Sequence, residues 1–209
     1  MTRSAPGLRE RNKLDKLRRI KDAAAQLFVS KGYDETTMRE VAARAGVGLG
    51  TVFVYATTKR DLLFLTVNED LESVVSAAVA ANRSDQAMLD RLLGVFRRYY
   101  EYFAQKPALS RLCLREMTFY ASGPEAKRFL KMRERLISLL DAIVRSAMDR
   151  KEISTKEPAS LVAWVVFAIY QVEIRRWLSS DNLEMRNGLA SLRRQLKLLI
   201  DGLEPRTRR

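Results

Sequence analysis

Histidine is absent from this 209-residue chain. That removes histidine-based acid–base catalysis, Ser-His-Asp and Cys-His triads, and most zinc sites. Cysteine occurs once, as Cys113 between Leu112 and Leu114. One thiol closes no intrachain disulfide, which fits a reducing compartment; the position reads as a small buried hydrophobe, with redox sensing as the lesser alternative. Long apolar runs are missing too: the longest, Leu161 to Tyr170, falls far short of the ~20 residues that span a bilayer. The opening MTRSAPGLRERNKL has no apolar core of signal-peptide length. A soluble, cytoplasmic protein with no membrane partner is expected. Only five Pro and nine Gly interrupt the chain, and no repeat, low-complexity stretch or strand-like alternation occurs. An all-α fold of about nine helices follows, with no catalytic set, metal site or cofactor expected.

What is present is positive charge. The formal net charge is +13, and residues 1–60 hold 13 Lys and Arg against 6 Asp and Glu, so +7 of it lies there. A basic surface attracts polyanions of any kind, so charge alone does not choose between nucleic acid and an anionic membrane. Hydrophobic residues make up 47% and charged residues 30%, the balance of a folded chain.

The choice is made between Thr37 and Leu62. Met38, Val41, Ala42 and Ala45 recur at the spacing of one apolar helix face. Thr37 and Glu40 have the spacing of a capping box at its start. Gly46 is placed to stop that helix with φ > 0, and Val47 to plug the corner. A second short helix follows at about Leu49 to Tyr55. Two short helices joined by a glycine-containing turn form a helix-turn-helix, whose second helix enters the DNA major groove.

This segment resembles the amino-terminal domain of the tetracycline-repressor (TetR) family of bacterial regulators, whose pattern is roughly T-x-x-x-I-A-x-x-A-G-V-S-x-G-T-x-Y-x-H/Y-F-x-x-K-x-x-L. Eleven residues meet it in order: Thr37, Val41, Ala42, Ala45, Gly46, Val47, Gly50, Thr51, Tyr55, Lys59 and Leu62. The resemblance implies phosphate anchors at Thr37 and Lys59, and a groove-facing surface of Gly48, Leu49, Gly50, Thr51, Phe53, Val54 and Tyr55. It also implies a base-reading arginine at Arg39, able to make bidentate bonds to guanine. Arg39 otherwise pairs on the surface with Glu35 or Glu40. Two departures stand out: Phe53 replaces a phosphate-binding Tyr, and Ala56 replaces a core Phe, leaving a gap for Tyr55 or Phe64.

Along the chain, residues 1–12 read as a basic arm with Arg3, Arg9 and Arg11, and the first helix as 13–31. Residues 1–58 form the expected DNA-binding domain and 59–209 a ligand-binding and dimerisation domain. Thr58 and Asp61 are placed to start the fourth helix, at 59–82. Five further helices are expected at 85–105, 108–121, 125–150, 158–179 and 182–202, the last capped by Asp181. In that last helix Met185, Leu189, Leu192, Leu196 and Leu199 step alternately by four and three, the pattern of a packing seam. LVAWVVFAIY, which includes Trp164, is apolar on every side and needs cover on every side. Pairing both helices with a second copy supplies it, and the resemblance implies the same homodimer; an intramolecular core is the alternative. Two recognition helices related by a two-fold axis fit a palindromic site on double-stranded DNA.

The resemblance also implies an unidentified small-molecule effector bound in the second domain. Phe96, Tyr99, Phe103, Met117, Tyr120, Trp164, Phe167 and Tyr170 are candidate pocket residues, though plain core at helical spacing explains them as well, and a largely apolar effector suits them. Glu116 and Glu173 would face a cationic ligand, Arg98 or Arg111 an anionic one. The expected function is a dimeric one-component regulator, a repressor that leaves its operator when the effector binds. An activator, a helical enzyme built on carboxylates, and a nonspecific polyanion-binding bundle are the competing readings. Absent histidine weighs against the enzyme.

Overall fold

The computed structural model describes residues 7–203. Among these, every regular element is helical: α1 (Leu8–Ser30), α2 (Met38–Ala45), α3 (Leu49–Tyr55), α4 (Lys59–Ala81), α5 (Met88–Gln105), α6 (Pro107–Glu116), α7 (Pro124–Asp149), α8 (Ala159–Leu178) and α9 (Met185–Gly202). None of these helices is long and apolar enough to cross a membrane. The residues gather into two compact units, one comprising the chain up to Glu69 with Leu112–Leu130, the other Asp70–Arg111 with the chain from Lys131 onward.

In the first unit α1 packs on α2, and α2 on α3. One face of α1 turns inward: Ile20, Ala24 and Phe28 are buried, joined by Val41, Ala42 and Ala45 of α2 and Val52 of α3. Helix α1 begins earlier than expected. Gly7 is its N-cap residue, and Arg9 and Arg11 lie on the helix with Glu10 in the first turn, where a carboxylate complements the helix dipole. Arg3 and the rest of the expected arm lie outside the described residues.

Further differences arise at ends. Helix α6 stops at Glu116 instead of continuing to 121, because Phe119 (φ 57) and Gly123 (φ 106) turn the chain into α7. Helix α9 begins at Met185, with Glu184 and not Asp181 at the cap position.

In the second unit α5 and α8 both pack on α9. Phe96, Tyr99, Tyr100 and Phe103 of α5 are buried, as are Val166, Phe167, Tyr170 and Trp177 of α8. Gly188 of α9 lets its backbone meet this layer: a Cβ there would lie 2.5 Å from Tyr100 Cε1 and 2.7 Å from Trp177 Cδ1. Leu192 and Leu196 are fully buried. This corrects their expected place in a dimer seam, because four-three stepping reports that a stripe is covered and not which chain covers it. Met185, Leu189 and Leu199 are half-buried.

Candidate nucleic-acid interface and effector core

The reading head is defined by its caps. The Thr37 hydroxyl accepts from the Glu40 N–H (3.3 Å), and the Glu40 carboxylate accepts from the Thr37 N–H (2.9 Å), completing the expected capping box. Lys31 also bonds to Glu40. That bond first, and then the Thr37 N–H and hydroxyl, hold the Glu40 carboxyl down to about 2. At the other end Gly46 adopts φ 63, a left-handed conformation glycine takes without penalty. The Val47 N–H reaches the Ala42 carbonyl (3.0 Å) and the Gly46 N–H the Ala43 carbonyl (3.1 Å). These are the paired bonds of a Schellman stop. Arg19 Nη1 donates to the Ala45 carbonyl (2.9 Å), placing a cation where the dipole of α2 ends. Arg19, one of the basic residues of α1, therefore ties α1 to the turn.

After that turn α3 buries a single side chain, Val52. Val54 is 79% and Phe53 46% exposed, Leu49, Thr51 and Tyr55 are half-buried, and Gly48 and Gly50 are exposed. A Cβ on Gly50 would meet nothing within 4 Å, so nothing in the subunit itself demands glycine there. Arg39 is exposed and makes no hydrogen bond or ion pair among the described residues; Glu40, one of its expected surface partners, is engaged by Lys31 and Thr37. Two other expected contacts are partly committed within the protein. The Tyr55 hydroxyl donates to the Lys13 carbonyl at 3.4 Å. Lys59 Nζ donates to the Asp34 carbonyl at 2.8 Å and lies 4.7 Å from the Tyr33 ring centre.

Asp61 was legible only as support for the start of α4. Its N–H does bond to the Thr58 hydroxyl (3.0 Å), as expected of that cap. Its carboxylate, however, is wholly buried. Oδ2 accepts from the Thr57 N–H (3.0 Å), and Oδ1 from the Tyr120 hydroxyl (2.7 Å) and the Glu125 N–H (3.0 Å). The same side chain thus braces the start of α4 and caps the first turn of α7, where the helix dipole favours an anion. Gly123 makes this approach possible: beyond its positive φ, a Cβ would fall 2.8 Å from Asp61 Oδ1. One helical turn along α4, Phe64 stacks on Tyr120 at 4.2 Å between ring centres, with Phe129 at 5.0 Å. Asn68 Nδ2 donates to the Glu125 carbonyl (2.9 Å) and carboxylate (2.7 Å). Thr57 aside, these partners are 56 or more residues away in sequence, and no local spacing reveals them. Burial, and then Asp61, push the Tyr120 phenol upward.

Tyr120, expected to line an effector pocket, is thereby committed to Asp61 and Phe64. Met117 belongs to the same unit. The other pocket candidates are in the second unit. Phe96 stacks on Tyr170 (4.4 Å), and Tyr170 meets Tyr99 (5.7 Å) and Phe167 (6.3 Å); Tyr99 meets Phe103 (6.4 Å), while Trp164 stands edge-on to Phe167 (5.6 Å). The hydroxyls of Tyr99 and Tyr100 are buried without a hydrogen-bond partner among the described residues, and burial raises both phenols.

Glu116 and Glu173 do not wait for a cationic ligand. Glu116 accepts from Arg60 (3.1 Å) and Arg115 (2.9 Å). Glu173 accepts from Arg176 (2.8 Å) and from Gln195. Burial pushes Glu173 up, but these hydrogen bonds outweigh it and its carboxyl ends below the usual range. Arg111 is likewise engaged, donating to the Leu178 carbonyl (2.6 Å).

On α8 the outward face is apolar and uncovered. Leu161, Trp164, Val165 and Val172 are 46%, 48%, 39% and 66% exposed. They lie on one helical stripe.

Residues 20–65 match the family model described as bacterial regulatory proteins, tetR family. The fatty acid metabolism regulator protein of Bacillus subtilis (strain 168) is 22% identical over 197 residues, covering 92% of this chain and 98% of that protein. The transcriptional activator FasR of Mycolicibacterium smegmatis is 24% identical over 182 residues, covering 86% and 81%. The structure of Thermus thermophilus FadR, a TetR-family transcriptional repressor in complex with lauroyl-CoA, superposes with a TM-score of 0.66 at 23% identity, covering 92% of this chain and 97% of that one. Likeness at this level is a likeness of fold.

Proposed function

We propose, from the match of residues 20–65 to the tetR family of bacterial regulatory proteins, that this chain is a homodimeric transcriptional repressor of a palindromic operator, released by an acyl-CoA effector. The observation that carries the DNA half is α3 itself. It spends one side chain on the core and leaves Leu49, Gly50, Thr51, Phe53 and Val54 available, beside an Arg39 that makes no hydrogen bond or ion pair among the described residues. Arg39 reads a base edge, Thr37 and Lys59 meet phosphates, and the bare Gly50 allows close approach to the groove.

The exposed face of α8 supports the dimer: a stripe of Leu161, Trp164, Val165 and Val172 open to water is the kind of patch that a second copy covers. Two features support the effector. One is the relative in complex with lauroyl-CoA; the other is the largely apolar Phe96, Tyr99, Phe167 and Tyr170 cluster, whose Tyr99 hydroxyl has no partner among the described residues. Such a protein acts in the cytoplasm, on the nucleoid when bound to DNA.

Selection of bound fragments from random duplex DNA, followed by binding assays with palmitoyl-CoA, tests the proposal. An enriched inverted repeat, bound at least tenfold more weakly by Arg39→Ala or Thr51→Ala and released by the thioester, is the expected result. Equal affinity for every duplex overturns the reading. A reporter that falls in the absence of the protein identifies an activator instead.

A further inference from the structure

A concavity lies beside α5. It is a cavity of about 300 Å³ lined by Ala81 at the end of α4, Asn82 just beyond that helix, and Arg91, Gly94, Arg97, Arg98 and Glu101 of α5. Three guanidinium groups thus face one carboxylate. Arg97 and Arg98 make no hydrogen bond or ion pair among the described residues, and neither does Glu101.

Arg91 is the unusual member, because it is only 5% exposed and its hydrogen bonds go to neutral groups. Nε donates to Asn82 Oδ1 (3.0 Å) and Nη1 to Ser146 Oγ (2.9 Å). Nη2 has no partner. Glu152, the carboxylate that acts on Arg91 from a distance, is engaged by the Met88 N–H (2.6 Å) and by Arg150 (2.7 Å). Burial and then the Arg150 charge both oppose the positive charge of Arg91. A buried guanidinium is costly unless an anion answers it. Gly94 opens the concavity: a Cβ there would meet nothing within 4 Å, so the helix leaves room where any other residue would fill it.

We propose that this cavity is a binding site for a diphosphate group, held by Arg91, Arg97 and Arg98. Guanidinium forks match phosphate oxygens two at a time, and a multiply charged anion repays three cations where a single carboxylate does not. The group comes from a free nucleoside diphosphate or from the headgroup of a coenzyme A thioester. As a diphosphate site it stands independently of the operator reading; its coenzyme A form rests on the acyl-CoA reading above.

Calorimetric titration of the full chain with inorganic pyrophosphate, ADP, coenzyme A and inorganic phosphate tests it at fixed ionic strength. Pyrophosphate, ADP and coenzyme A are expected to bind more tightly than phosphate. The Arg97→Ala/Arg98→Ala protein, altered at partly exposed positions, is expected to keep its circular dichroism and melting curve and to bind at least tenfold more weakly, since each lost charge-assisted bond costs roughly tenfold. Gly94→Leu, which puts a side chain into the open space, is expected to give the same loss. Arg39→Ala is expected to bind pyrophosphate as the parent does. ADP binding as tightly as coenzyme A makes the diphosphate alone the determinant; preference for coenzyme A assigns the site to a thioester headgroup. No binding of any diphosphate, or binding that survives both the double arginine variant and Gly94→Leu, overturns the proposal. So does equal weakening by Arg39→Ala, which would put the anion on the DNA-reading face.

Discussion

Replacing Asp61 by alanine strands donors that have nowhere else to turn. Its carboxylate is wholly buried and accepts from the Tyr120 hydroxyl at 2.7 Å and from the Glu125 and Thr57 N–H groups at 3.0 Å. Thr57 is exposed and finds water, so its loss is small. Tyr120 and Glu125 are 4% and 6% exposed, and each buried donor left unpaired costs about 1–3 kcal/mol. Adding the small cavity and the lost cap of α7, Asp61→Ala is expected to destabilise by about 3–5 kcal/mol. Against a total of about 5–15 kcal/mol that is a large fraction. Urea unfolding followed by far-ultraviolet circular dichroism measures it, and a double-mutant cycle with Tyr120→Phe isolates the mechanism. Tyr120→Phe alone removes one bond and costs about 1 kcal/mol, whereas in the Asp61→Ala background it removes a stranded hydroxyl and stabilises. The two changes are therefore expected to couple by about 1–3 kcal/mol. Additive effects, or a single-variant loss below about 1 kcal/mol, would show that the carboxylate is not the brace its geometry describes.

Three further outcomes follow from particular atoms. Gly50→Ala adds a methyl where nothing lies within 4 Å, so helix propensity is expected to stabilise α3 by up to about 1 kcal/mol while operator affinity falls at least tenfold; a gain in thermal midpoint with unchanged DNA binding would refute the role given to the bare backbone. Gly188→Ala has the opposite sign, because its Cβ would sit 2.5 Å from the Tyr100 ring and 2.7 Å from the Trp177 indole. Overpacking of about 1–3 kcal/mol outweighs propensity there, and a lowered urea midpoint with altered Trp177 fluorescence is the check. Glu40 is held down to about 2 by Lys31 and then Thr37. A depressed carboxyl contributes stability above its unfolded value, lost as pH falls through the folded one. The contribution of the α2 cap is accordingly expected to fade between about pH 4.5 and about pH 2, and Glu40→Gln to flatten that part of the stability profile.

Much of this architecture is written locally. The capping box at Thr37 and Glu40, the left-handed Gly46 and the Thr58 cap are all fixed by residues within a few positions of one another, and each appears where the spacing placed it. The rest depends on partners far off in sequence. Met117 to Tyr120 read as helix because their apolar content is helical; what ends α6 is a turn at Phe119 and Gly123 that delivers Glu125 to Asp61. The stepping leucines of α9 identify a covered stripe, but Leu192 and Leu196 are covered inside the unit, and the open apolar face belongs to α8. Glu116 and Glu173 look available in one dimension because the arginines that occupy them are recognisable only as geometry.

The division of labour in the reading head follows from its size. Helix α3 has seven residues, far below the length at which a helix holds itself together in water. Gly48 before it supplies no side-chain cap, and only Val52 reaches the core. Its order is therefore borrowed from its borders: the Schellman turn at Gly46 and the Arg19 bond to the Ala45 carbonyl on one side, the Thr58 cap and the Asp61 carboxylate on the other. Because folding information sits in those borders, the exposed positions between them are free to vary. Phe53 in place of a tyrosine then changes the face that the helix presents without changing whether it forms, so a departure from the family pattern on this face leaves the fold intact and, on the DNA reading proposed above, alters which sequence is bound.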